Sequence, residues 1–473
     1  MKLKEQEQSS VLAVTGRVDS WLKNPTRRYP VSCTVMQVLD TMDEDPDGIE
    51  GSFLFASKAL RYGAGVSLHL SELRPKGTEN KHGMVASGPC GFMEIYSKFN
   101  EILRRGGQYR NGAIVSHLDW DHPDIIEFIN YDRTRIPWLK RAVNVEPDVI
   151  NKPDVLKAIM DGASKGDIWI VKKQYDKNGE RIFHNVCQEI LIKSRDTCLL
   201  SHINLGAIKK LEDIPAAFGD GMRFLCDLYE RTGVDDAGIY SKKDRQVGLG
   251  VLGLANLLAI EGITYKDFVN ALRDRNLNVP KKGDGTPVNK LKAMELVEYI
   301  WAGFIEAAAV ADENGMSRAF TVAPTASCAY RYKDREGYTT TPEIAPPVAL
   351  EIDRDSTTLG VENYQFNPKC EIAQDVGWDT FFELNCEWQR LMDSTGLAHA
   401  ISMNWWSDVV KMDRNFMSRW LNSPLKSLYY SLQVQPDTQD KTDVYSALGD
   451  TDVDEYLSEI LAEDKVPTCD CAE

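Results

Sequence analysis

Apolar positions along the chain follow two rhythms. At residues 92–107 they recur at helical spacing: Phe92, Ile95, Tyr96, Phe99, Ile102 and Leu103 share one face, Arg104 and Arg105 suit the negative end of the dipole, and Gly106-Gly107 stops the turn. Residues 294–313 predict a second long helix, alanine-rich in its C-terminal half. Residues 167–171 and 186–192 read as strands. Helical and extended patterns alternate in this way from Pro25 to about Gln435, which predicts an α/β architecture without internal repeats. After Pro436 large apolar residues thin out, apart from a candidate short helix at 452–463, and a flexible tail is expected. The predicted organisation is a short N-terminal segment (1–24), a main α/β domain (25–435) and an acidic tail (436–473).

Composition narrows the class. Of the 473 residues 43% are hydrophobic and 27% charged, ordinary values for a globular enzyme. The first ten residues are polar, and the longest apolar stretch, 247–260, is glycine-rich and broken by Asn256. It falls short of the roughly 20 apolar residues a bilayer span needs, so a cytoplasmic location without membrane contact is expected. The net charge of −16 argues against nonspecific nucleic-acid binding. Twelve acidic residues and two lysines after 435 carry −10 of it, leaving about −6 for the rest.

Ten cysteines in a chain of this length are no disulfide scaffold. There is no Cys-x-x-Cys and no His-Glu-x-x-His, so no metal site is expected in this chain. Asp119, Asp121, His122 and Asp124 resemble a ligand cluster but read better as acids at a helix N-terminus. Cys90, Cys226, Cys370 and Cys386 are most simply small buried hydrophobes.

Asn185-Val186-Cys187-Gln188-Glu189 stands apart. In an extended strand, residues 185, 187 and 189 point the same way and set an amide, a thiol and a carboxylate in a row. An isolated cysteine here would be a core residue, but a buried amide and carboxylate beside it need a reason. Cys33 and Cys198 are two further thiols able to converge on the row. Such a site suits radical or redox chemistry on a small polar substrate.

With Gly63-Ala64-Gly65-Val66, Arg105-Gly106-Gly107, residues 121–129, Gly248-Leu249-Gly250-Val251-Leu252-Gly253-Leu254, Ala323-Pro324-Thr325-Ala326-Ser327 and a terminal Cys469-Asp470-Cys471 in the same order, the chain resembles the catalytic alpha subunit of ribonucleotide reductase. The resemblance implies a ten-stranded α/β barrel with a central finger loop tipped by Cys187. It implies that Cys187, as a thiyl radical, abstracts the ribose 3′-hydrogen and that Glu189 takes the 3′-hydroxyl proton. Asn185 would hold the substrate hydroxyls, and Cys33 and Cys198 would supply two electrons and end as a disulfide. Pro324, Thr325, Ala326 and Ser327 match the family's phosphate-binding turn, and Ser32 and Gly65 match further substrate contacts. Asp40, Arg74 and Lys81 fall where the family binds an effector nucleotide (a dNTP or ATP), and Arg110 where that signal reaches the substrate. The family also implies a homodimer and Mg2+ with the nucleotides. Its mobile tail cysteines, here Cys469 and Cys471, would re-reduce the site and be drained by thioredoxin or glutaredoxin. A Cys-x-Cys pair is closer than usual and would form a strained, more oxidising ring.

Two radical sources compete. First-class members use a small ferritin-like beta subunit with a metal cofactor and a tyrosine relay; second-class members use adenosylcobalamin. Tyr429-Tyr430 matches the first-class pair, with Tyr430 expected beside Cys187 and Tyr429 toward the partner. The first class, which acts on diphosphates, is therefore expected, with no cofactor held by this chain. Only 32 residues precede Cys33, so the family's ATP-binding cone is expected to be absent, an economy that suits a virus. A glycyl-radical enzyme would need a C-terminal glycyl segment, and an inactive nucleotide binder should have lost one of the three cysteines.

Overall fold

The computed structural model describes residues 10–23, 30–42, 45–61, 64–80, 82–103, 113–197, 199–232, 244–277, 288–356 and 360–435. The expectations for Lys81, Arg110, Cys198, Cys469, Cys471 and the 436–473 tail lie outside these residues.

In chain order the strands are β1 (Leu12–Val14), β2 (Cys33–Gln37), β3 (Gly65–His69), β4 (Ile114–Asp119), β5 (Lys140–Val145), β6 (Ile168–Lys172), β7 (Gln174–Tyr175), β8 (Arg181–His184), β9 (Leu191–Ile192), β10 (Leu200–Asn204), β11 (Gln246–Leu252), β12 (Arg318–Val322), β13 (Glu351–Ser356), β14 (Gly360–Gln365), β15 (Ala398–Ile401), β16 (Trp405–Trp406), β17 (Ser427–Leu428) and β18 (Ser431–Leu432). One sheet runs β17-β6-β5-β4-β3-β2, with β2 to β6 parallel and β17 antiparallel on β6. Parallel neighbours need crossovers, which Ile49–Arg61, Gly88–Ile102, Ile125–Asn130 and Pro153–Ser164 supply as helices. The second sheet runs β1-β10-β11-β12-β15, parallel from β10 to β15 with β1 antiparallel at its edge. Its crossovers include the helices Ile214–Arg231, Val288–Glu313 and Trp378–Asp393.

Strands such as Ile168–Lys172 and Gln246–Leu252 are apolar almost throughout because both faces are buried. The outer faces share the large core with the helices. A separate inner cluster gathers Val35, Val115, Trp169, Val186, Ile190 and Leu200 around the antiparallel β8–β9 hairpin. Gly248 makes room for that hairpin: a Cβ there would lie 2.5 Å from Leu200 Cδ2 and 2.9 Å from Ile190 Cδ1.

Among the described residues the ladders pair as two separate sheets, without a closed ten-stranded ring. At one seam the sheets meet through an antiparallel bridge between Thr34 and Thr197. At the other, Ser427 Oγ donates to Ile401 O (2.7 Å) and Tyr429 N to Met403 O (2.9 Å). The helix expected at 92–107 is Gly88–Ile102; Tyr96 is buried as expected, but Ile95 and Ile102 are exposed and Met93 and Asn100 face inward instead. The helix expected at 294–313 starts earlier, as Val288–Glu313. No helix among the described residues is long and apolar enough to cross a membrane.

Candidate active site

Residues 186–192 are not one strand: only Leu191–Ile192 is extended, and 185–190 reverse the chain between β8 and β9. Gln188 takes a left-handed φ of 69°, and its N–H donates to Asn185 O at 3.1 Å. Asn185 closes the turn with its N–H on Ile190 O and its Oδ1 on the Ile190 N–H, both 3.1 Å. Its Nδ2 donates to Glu189 Oε1 at 2.9 Å. The amide and carboxylate therefore meet through a turn rather than through strand alternation.

Both ends of the turn are tied down. Ser402 Oγ donates to Cys187 O (2.7 Å), and Ala400 N (2.9 Å) and Thr321 Oγ1 (3.0 Å) donate to Glu189 O. At the base, Arg181 makes two 2.6 Å bonds to Asp119, which also accepts from Asn144 Nδ2 (2.7 Å) and pairs with Lys173 (3.0 Å). Burial alone would raise the Asp119 carboxyl, but Arg181, Asn144 and Lys173 hold it well below its ordinary range. Asp119 is thus the end of β4 and the anchor of the hairpin, not a helix N-terminal acid. Asp124 does precede the helix Ile125–Asn130, but its side chain accepts from Lys76 N.

The Cys187 thiol hydrogen-bonds both Cys33 and Tyr429. The bond to Cys33, burial and the nearby Glu189 charge push it well above its ordinary value. It is therefore a protonated thiol at neutral pH, unsuited to a thiolate nucleophile and suited to losing a hydrogen atom. Glu189 is raised to about 8 by burial and by Cys33, against the opposing bond from Asn185. Its Oε2 is buried without a hydrogen-bond partner. Cys33 opens β2 opposite Gly65 in β3, and Gly65 N donates to Ser32 O at 2.9 Å. A Cβ on Gly65 would sit 3.1 Å from Val186 Cγ2 and 3.4 Å from Cys33 Sγ, so glycine keeps the space beside the thiols.

The tyrosine order is the reverse of that expected. Tyr429 is buried, bonds Cys187 and packs at a tilt against Trp169 (centroids 4.6 Å), while the half-buried Tyr430 lies beside it with ring centroids 4.7 Å apart. Both line a cavity of about 280 Å³ with Trp169, Lys140 and Arg133. Residues 324–325 follow β12, 326–327 open the short helix Ala326–Tyr330, and Thr325 N donates to Glu343 Oε1 at 3.1 Å. Glu343 enters the site unannounced by any periodicity or motif, and its charge is one of those raising Glu189. Asp40 and Arg74 pair with each other at 2.5 Å, past the ends of β2 and β3 remote from Cys33. Cys90, Cys226, Cys370 and Cys386 are buried, as expected of small hydrophobes.

A half-buried, protonated thiol on a hairpin between two α/β sheets, flanked by a second thiol, a carboxyl and an amide, is a candidate thiol-centred redox site. The family model for the ribonucleotide reductase barrel domain matches residues 31–161 and 168–275, and the chain belongs to that family. It is 26% identical over 286 residues to a vitamin B12-dependent ribonucleoside-diphosphate reductase of Mycobacterium tuberculosis (strain CDC 1551 / Oshkosh), covering 51% of this chain and 40% of that protein. A vitamin B12-dependent ribonucleoside-diphosphate reductase of Thermoplasma acidophilum is 26% identical over 281 residues, 50% of this chain and 36% of that one. The chain thus spans less than half the length of these curated relatives. In fold it is similar to the Actinobacillus ureae class Id ribonucleotide reductase alpha subunit, with a TM-score of 0.61 at 17% identity over 89% of this chain and 88% of that one.

Proposed function

We propose that the chain reduces ribonucleoside diphosphates to 2′-deoxyribonucleoside diphosphates by a radical route, as a catalytic subunit. The observation that carries this reading is the protonated Cys187 thiol, bonded to Cys33 and Tyr429, on the same turn as the Asn185–Glu189 pair. Loss of a hydrogen atom leaves a thiyl radical on Cys187, which takes the 3′-hydrogen of the ribose. Glu189 then accepts the 3′-hydroxyl proton, and Asn185 orients the hydroxyls. Cys33 and Cys198 protonate the departing 2′-hydroxyl and become a disulfide as the sugar gains two electrons. The antiparallel bridge of Thr34 to Thr197, the residues next to these two cysteines, supports their pairing. The 324–327 turn, Ser32 and Gly65 receive the substrate, the two sheets act as the halves of a barrel, and the 185–190 turn serves as its finger loop. The tail cysteines Cys469 and Cys471 return electrons to the site.

The hydrogen-bonded Tyr429 and adjoining Tyr430 favour a tyrosine relay from a metal-carrying beta subunit. The cavity beside them, about 280 Å³, is lined by Trp169, Tyr429 and Tyr430 and gives a partner's residues access to the relay. The second reading, adenosylcobalamin as radical source, is favoured by the B12 dependence in the names of the curated relatives. Bound there, that cofactor would supply the oxidation of Cys187, and Tyr429 would only pack against the thiol. Effector control through Asp40, Arg74, Lys81 and Arg110, and a homodimer, complete the proposal. Cys187→Ser tests it: product formation should vanish while nucleotide binding persists, and product from that variant would overturn the mechanism.

A further inference from the structure

Glu343 and Thr325 clasp each other. Thr325 N donates to Glu343 Oε1 and Glu343 N donates to Thr325 Oγ1, both at 3.1 Å. Glu343 holds this pose at φ 53°, a left-handed conformation that a residue other than glycine adopts at a cost and only where its surroundings enforce it. The enforcement is visible on both sides. Thr341 N and Oγ1 donate to Asn256 Oδ1 (2.7 and 2.8 Å), and Tyr265 Oη donates to Ile344 O (3.1 Å). Glu343 is therefore aimed at the turn rather than resting there.

A carboxylate is an acceptor-only anion, the same hydrogen-bonding character as a phosphate oxygen. Resting on the reading of 324–327 as the phosphate turn, we propose that Glu343 is a placeholder and specificity residue: its carboxyl occupies the Thr325 N–H that a substrate phosphate takes over, so binding requires Glu343 to yield that donor in uncharged form. Two anions cannot share one N–H at low cost, and Glu189 on the hairpin is a second acidic group whose charge is felt between the two carboxyls. Burial raises Glu343 to about 8, so the proton needed is present at neutral pH and lost above it. Nucleotide binding should then take up a growing fraction of a proton as pH rises through 8, and affinity for phosphorylated ligands should fall as pH rises further.

The test is calorimetric titration of the full chain with CDP, inorganic pyrophosphate and cytidine from pH 6.5 to 9.5, in buffers of different ionisation enthalpy. It uses the wild type, Glu343→Gln, and Glu189→Gln to remove the share of Glu189. In the Glu189→Gln protein, CDP affinity should fall by up to about tenfold per pH unit above 8, the limit for one linked proton. Proton uptake should reach about one half per CDP at pH 8, where free Glu343 is half protonated, and rise toward one at about pH 9. Glu343→Gln should flatten the fall and lower the proton count, leaving only the share of Glu189. CDP and pyrophosphate binding with the same slope and proton count in Glu343→Gln as in wild type would overturn the placeholder while leaving the phosphate turn in place. No proton uptake in Glu189→Gln would overturn it without relying on the Glu343 variant. Equal affinity for CDP and cytidine, with no pyrophosphate binding, would overturn the phosphate turn and the placeholder together.

Discussion

The phenol of Tyr429 is hydrogen-bonded to the thiol of Cys187. The contact links a half-buried cysteine to an aromatic series that continues to the half-buried Tyr430. If the tyrosines carry the radical, Tyr429→Phe should remove product formation supported by a beta subunit. Only about 1 kcal/mol of stability should go with the lost hydrogen bond, because the ring still fills its place beside Trp169. Assays with the beta subunit, alongside thermal unfolding, check this. Full activity of Tyr429→Phe would assign the tyrosine a packing role.

Glu189 links the site's chemistry to pH. Its folded value of about 8 lies above the ordinary 4.5, so the folded protein holds an extra proton between those limits. Stability from this group is therefore fully present below about pH 4.5 and is lost as pH rises through about 8. Glu189→Gln cannot titrate. Its unfolding free energy should match wild type near pH 4.5 and exceed it increasingly up to pH 8, by an amount on the order of a few kcal/mol. As a base Glu189 must be ionised, so wild-type kcat should climb as pH approaches 8. A kcat flat from pH 6 to 8.5 would remove Glu189 from the proton-transfer step.

Gly248 faces Ile190 and Leu200 at distances no Cβ tolerates. Gly248→Ala should cost about 1–3 kcal/mol by overpacking and push on the hairpin that carries Cys187. Urea unfolding measures the loss. A variant as stable as wild type would mean that the hairpin has slack at Ile190.

The Asp119–Arg181 pair fastens the hairpin base to β4. Asp119→Ala leaves the guanidinium largely buried beside Lys173, and a loss of about 3 kcal/mol is expected. Replacing Arg181 as well, in Asp119→Ala/Arg181→Met, should recover part of it. Denaturation of the two variants and a double-mutant cycle measure the coupling.

Much of the fold was legible because its causes are local. Apolar runs such as Ile168–Lys172 and the long helix ending at Glu313 follow from burial of both strand faces and from helical periodicity. The site's residue types were legible from Asn185, Cys187 and Glu189, but their geometry was not. Left-handed Gln188 turns a segment of β-like composition into a reversal, and no glycine marks it. Glu343, Ser402 and Thr321 reach the site from strands and loops more than 130 residues away in sequence, so spacing carries no trace of them. The order of Tyr429 and Tyr430 depends on which ring turns inward, a choice fixed by the space next to Trp169.

The most direct measurement is reduction of a radiolabelled ribonucleoside diphosphate by the purified chain with dithiothreitol and an effector. It is run with adenosylcobalamin, with a metal-loaded beta subunit, and with neither, for wild type and Cys187→Ser. The account predicts labelled deoxyribonucleotide from wild type with the beta subunit, and none from Cys187→Ser under any condition. Product from Cys187→Ser, or none from wild type with either radical source, would contradict it.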